Sequence, residues 1–114
     1  MSREKLDTMT DDGLLAEFAA TGAEAPFATL IERHGPLVYN TCRRVLHDPH
    51  EAEDAAQAVF LTLAHKAKDR SLREGGALSS WLYRTAWHVS LRAREAAQIR
   101  RRHEKEAAAM KEEA

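Results

Sequence analysis

Residues 48–61 read Asp48-Pro49-His50-Glu51-Ala52-Glu53-Asp54-Ala55-Ala56-Gln57-Ala58-Val59-Phe60-Leu61. This stretch decides the fold. An aspartate followed by proline marks a helix start, because the carboxylate can accept from free backbone N–H groups and a first-turn proline gives up no hydrogen bond. Glu51, Glu53 and Asp54 then load the early turns with negative charge, which the helix dipole favours. From there Ala52, Ala55, Ala56, Val59, Phe60, Leu63 and Ala67 follow the i, i+3, i+4, i+7 rule of one buried stripe, and the spacing predicts a helix to about Lys68. Glu53, Asp54, Gln57 and Leu61 fall away from that stripe.

Upstream, acidic residues open a predicted short helix from Asp11 to Ala20, with Leu14, Leu15, Phe18 and Ala19 on one side, and Thr21-Gly22 ends it. A second helix starts near Ala25 with Pro26 in its first turn. Its apolar series is Phe27, Leu30, Ile31, Leu37, Val38, Thr41, Cys42 and Val45. Pro36 removes one backbone hydrogen bond and crowds the carbonyl of Glu32, so a bend is expected there, with breakage into two helices as the alternative. Downstream, Asp69 to Ala77 has no period and reads as a loop. A last helix begins between Ala77 and Ser80 with a serine as cap, and carries Leu78, Leu82, Thr85, Ala86, Val89 and Ala93 inward. Beyond Ile99 the chain is charged and alanine-rich, a helical extension or a fraying tail.

Composition agrees with an all-α domain. The 114 residues are 44% hydrophobic and 31% charged, with only 5 Gly and 3 Pro, enough for one modest core. No apolar run is long enough to span a membrane and Met1 to Lys5 lacks a signal-peptide pattern, so a cytoplasmic location is expected. Cys42 stands alone and reads as a small buried residue. Net charge is only −1, but it is unevenly spread. Arg84, Arg92, Arg94, Arg100, Arg101, Arg102 and Lys105 face only Glu95 and Glu104 in one segment, whereas the first thirty residues and the 48–54 knot are acidic. Two chemically different partners become conceivable.

The 48–61 string, together with Ser80-Trp81-Leu82-Tyr83-Arg84-Thr85-Ala86, resembles region two of extracytoplasmic-function sigma factors. The resemblance covers roughly Asp11 to Arg102 and implies a compact four-helix bundle, with residues 1–10 as an N-terminal tail and 103–114 as a charged tail or the start of a linker. It implies RNA polymerase core as partner, through the clamp helices of the beta-prime subunit, on a face made by Glu53, Asp54, Gln57, Phe60 and Leu61. It further implies recognition and melting of the promoter minus-ten element by Arg73, Ser79, Ser80, Trp81, Tyr83, Arg84, Trp87, His88 and Arg92, and an anti-sigma factor as a regulator. Two departures stand out. Ala58 occupies a position where relatives often carry a glutamate, and His88 one where many carry an amide beside duplex DNA. The family also adds a helix-turn-helix domain for the minus-thirty-five element, whereas these residues end at Ala114 inside a charged segment.

The residues read without the resemblance are compatible with that role. Carboxylates and an amide around Leu61 suit a basic helical partner, while planar groups and arginines suit an opened strand. Trp81 reads equally well as a core residue. Tyr83 and Trp87 are expected to be exposed. His47, His50, Glu51 and Glu53 cluster in sequence, but His47 ends one helix and His50 begins the next, so no metal centre is expected. No phosphate loop or nucleophile with a placed histidine appears, so neither an enzyme nor a cofactor is expected. The alternative function is a helical interaction module, a sigma-like adaptor or decoy that binds polymerase or a regulator without DNA. An independent helix-turn-helix repressor fits poorly, because the loop at 69–77 is too long for that motif's turn.

Overall fold

Side-chain caps open three of the described helices. In the computed structural model, which describes residues 1–69, 72 and 77–113, Ser2 accepts from the Lys5 N–H and opens α1 (Arg3–Thr8). Thr10 accepts from the Gly13 N–H at 3.0 Å and opens α2 (Asp11–Thr21). Gly22 stops α2 in the left-handed region, φ 71°, a conformation in which glycine has no Cβ to clash. The next helix, α3 (Glu24–Leu46), ends at His47, also left-handed with φ 64°. Asp48 then accepts from the N–H groups of His50 and Glu51 at 2.8 and 3.0 Å to start α4 (Pro49–Lys66). The last helix, α5, runs from Leu78 to Glu113.

All five of these helices are α-helical and no strand occurs among the described residues. The central helix is α3, which packs against α2, α4 and α5, with α4 also against α5. Between them lies one core of Leu14, Leu15, Leu30, Val38, Cys42, Val59, Leu63, Leu82 and Ala86, closed at one side by Leu6. The 36 residues of α5 span about 54 Å at 1.5 Å per residue. That length accounts for the 65 Å long axis against cross-sections of 26 and 23 Å.

Ala52, Ala55, Val59, Phe60, Leu63 and Ala67 are buried as the spacing predicts, with Ala56 half-buried. Other expectations need correction. The segment expected to be a tail contains α1, whose Leu6 is buried and which Arg33 ties to the bundle: Arg33 Nη2 donates to the carbonyls of Leu6 and Asp7 at 3.1 and 3.0 Å. At Pro36 only the alternative of breakage into two helices is excluded, because α3 is continuous through it. Ile31 and Leu37 leave the core stripe and are 40% and 38% exposed. No serine caps α5: Leu78 starts the helix, and Ser79 and Ser80 lie inside its first turn. Its buried stripe runs Leu78, Leu82, Ala86, Ser90 and Ala97, with Thr85, Val89 and Ala93 on its half-buried flank. The centre of the stripe is therefore slightly rotated from the expected one.

Candidate polymerase and nucleic-acid interfaces

Two surfaces gather the residues singled out from the sequence. On α4, Glu53, Asp54, Gln57 and Leu61 are exposed, Leu61 to 62%, whereas Phe60 is buried at 8%. Burial of Ala52, Ala55, Val59 and Leu63 against the bundle fixes this orientation, since residues one position away on a helix point about 100° elsewhere. Phe27, Ile31, Gly35 and Tyr39 lie at i, i+4, i+8 and i+12 along α3 and form the opposite wall of a groove of about 460 Å³, with Glu53, Ala56, Gln57, Phe60 and Leu61 on the α4 side. Gly35 leaves the wall hollow, for a Cβ there would meet nothing within 4 Å. The floor is aromatic: Phe27 packs on Phe18 at 4.7 Å and edge-on to Phe60 at 6.5 Å between ring centroids.

Sequence reasoning misses the α3 wall as a functional element. By spacing alone Ile31 belongs to the core series, and its i+4 register with Phe27, Gly35 and Tyr39 is the signal that could have found the wall. Ala58 faces elsewhere, into a smaller cleft of about 300 Å³ between α4 and α5 with Ala55, Ala93, Ala97 and Arg100. Across the same boundary Arg101 approaches Glu51 at 3.8 Å, an exposed pair of small energetic weight.

On α5, Tyr83, Arg84, Trp87, His88 and Arg92 are all exposed, while Trp81 is half-buried against the core. Tyr83 and Trp87 stack with centroids 6.5 Å apart and planes 26° from parallel. Ser80 is exposed and Ser79 half-buried at the start of the helix. Arg73, and with it most of the expected loop at 69–77, lies outside the described residues. Among the described residues no group of three or more His, Cys, Asp or Glu side chains gathers to hold a metal, and no helix is long and apolar enough to cross a membrane.

Residues 30–102 match the family described as Sigma-70 region 2. The chain belongs to that family. The match begins inside α3 and ends inside α5, so most of both candidate interfaces falls within the sigma-70 region 2 domain, while α1, α2 and the tip of α5 lie outside it. The chain is also similar to the ECF RNA polymerase sigma factor SigW of Bacillus subtilis (strain 168), 30% identical over 70 residues, which cover 61% of this chain and 36% of that protein. It thus spans about a third of the length of the curated relative it matches. No solved structure gives a significant match. Both findings agree with the resemblance read from 48–61 and 80–86, and the all-helical bundle is the fold that resemblance implies.

Proposed function

We propose that this sigma-70 region 2 domain docks on RNA polymerase core through the α3–α4 groove and recognises and melts the promoter minus-ten element through α5, with no catalytic step of its own. The observation that carries the reading is the placement of Glu53, Gln57 and Leu61 along an apolar groove, with Asp54 exposed beside them on α4 at the neighbouring α4–α5 cleft. An apolar centre edged by the Glu53 carboxylate and the Gln57 amide, with the Asp54 carboxylate beyond them, complements a helix that offers one apolar side chain between basic ones, as is expected of the beta-prime clamp helices. Charge-assisted bonds from the acids set orientation, and the groove supplies the apolar area. A regulator of the anti-sigma type is a second partner for the same acidic and apolar lip.

The α5 side supplies what an opened strand requires. Arg84 and Arg92 offer cations for the backbone, and Tyr83, Trp87 and His88 offer planar faces. Ser79, Ser80 and the Trp81 edge line the start of the helix, next in sequence to the segment carrying Arg73. Offsetting the few kcal/mol lost on unstacking each base step with such contacts is how a wedge opens a duplex.

Capture of polymerase core by the wild type and by Asp54→Ala plus Gln57→Ala tests the docking half. Strong loss of capture with an unchanged circular dichroism spectrum is expected, and undiminished capture removes the docking role. The groove by itself also suits an adaptor that never meets DNA. Salt-dependent binding of minus-ten single strands, weakened by Arg84→Ala, separates the two readings, because only phosphate contacts release counterions.

A further inference from the structure

The α3–α4 groove suits an apolar side chain set among basic ones, and α5 of this same chain carries one. Ile99 is 52% exposed, and Arg100 and Arg102 beside it are exposed and take part in no ion pair among the described residues. Within four residues of Ile99 the one acid is Glu95. The groove has the opposite charge. Glu53 lines it and Asp54 is exposed next to it, and neither carboxylate has a basic partner among the described residues.

α5 cannot bring Ile99 to the groove of its own chain. The helix is continuous from Leu78 to Glu113, and Ala97 is buried against the bundle at 3% exposure. Two positions further along a helix the side chain points about 200° away, so Ile99 faces solvent on the side opposite the bundle. Any groove that it enters belongs to another molecule.

Resting on the reading that the groove is a docking site, we propose that a second copy of this chain occupies it, with Ile99 of one molecule over the apolar floor and Arg100 and Arg102 against Glu53 and Asp54 of the other. Complementary charge sets the approach, and the apolar contact holds it. The contact joins two different patches, so it is head-to-tail, and association grows with concentration unless the rotation closes a ring. Self-association covers the groove, and polymerase core must displace the second copy to reach it.

The test is sedimentation velocity on the 114-residue chain over a concentration series, at low salt and at about 1 M salt, where charges are screened beyond about 3 Å. The mean mass should rise with concentration, and less so at high salt. Ile99→Asp, the double variant Arg100→Glu plus Arg102→Glu, and the double variant Glu53→Arg plus Asp54→Arg should each raise the midpoint concentration by roughly tenfold or more. Mixing the two charge-reversed doubles should restore association, a result that misfolding cannot produce. Glu95→Gln, which removes the acid beside Ile99, should tighten it, and polymerase capture by Ile99→Asp should persist. A single-chain mass at every concentration, with polymerase still captured, leaves polymerase as the occupant and overturns self-docking alone. Association that ignores the reversals, or is not restored on mixing, overturns it too. If Asp54→Ala plus Gln57→Ala abolishes self-association while polymerase capture is undiminished, the second copy keeps the groove and the polymerase reading falls instead.

Discussion

Arg33 Nη1 donates to Asp11 Oδ1 at 3.2 Å, joining α3 to the first turn of α2, while His34 Nε2 lies 2.8 Å from the other oxygen of the same carboxylate. With its second nitrogen Arg33 holds the carbonyls of Leu6 and Asp7 in α1. One guanidinium thus gathers three helices. Its side chain and that of Asp11 are only 28% and 31% exposed, so the bonds are partly shielded from water. Arg33→Ala should lower unfolding stability by about 1–3 kcal/mol, read as a shift of the urea midpoint, and should raise hydrogen exchange in α1 first. Arg33→Lys should rescue little, since an ammonium cannot bridge the forked acceptors.

Gly35 separates stability from docking. A Cβ there meets nothing beyond its chain neighbours, but the helical gain of about 0.5–1 kcal/mol is opposed by the crowding that Pro36 imposes on a preceding Cβ, so Gly35→Ala should fold with little change in stability. Gly35→Met should also fold, yet its side chain would fill the hollow between Ile31 and Tyr39. Polymerase capture should then fall for the methionine variant and persist for alanine. Equal capture by both would place docking outside the groove.

Acid should weaken the α3–α4 junction. The Glu51 backbone N–H, with further help from that of His50 and nearby positive charge, holds the Asp48 carboxyl below its usual range. A depressed native pKa means that the unfolded chain binds its proton first. The stabilisation is therefore complete above the ordinary aspartate value, about 3.9, and is lost as pH falls through the lower native value. Urea midpoints taken over a descent from neutral to strongly acidic pH should fall less steeply for Asp48→Asn, which keeps an acceptor but does not titrate.

Cys42 should be inert in the native state. It is fully buried, and burial pushes its thiol up, opposed by the neighbouring Ser90 hydroxyl. That hydroxyl is itself buried without a hydrogen bond of regular geometry. A disulfide reagent near neutral pH should modify the thiol only at the rate of opening, and immediately in urea. Because the native pKa is raised, stability should be unaffected below the ordinary thiol value, about 8.5, and should decline as pH rises beyond it, where the unfolded chain ionises first.

Much of this architecture is legible in one dimension. Asp48-Pro49, Thr21-Gly22 and the Ala52 to Ala67 period are local signals, each acting within one or two turns, and α4 forms and buries as they dictate. The exposure of Glu53, Asp54 and Gln57 follows from the same period, as does that of Tyr83 and Trp87 one turn apart. By contrast, α1 has the Ser2 cap but is too short to be stable alone and depends on Leu6 and on Arg33, 27 residues distant, so its cap does not suffice to mark it.

The sequence by itself determined where α2 ends, where α4 begins and which face of α4 is apolar, because capping and periodicity act through neighbours along the chain. Tertiary packing alone decided that Ile31 and Gly35 wall a groove, that Ser90 sits at the centre of the α5 stripe, and that Arg33 unites α1, α2 and α3. Those outcomes depend on how far two helix axes lie apart and on their rotation about each other, and both are set by the summed shapes of facing side chains.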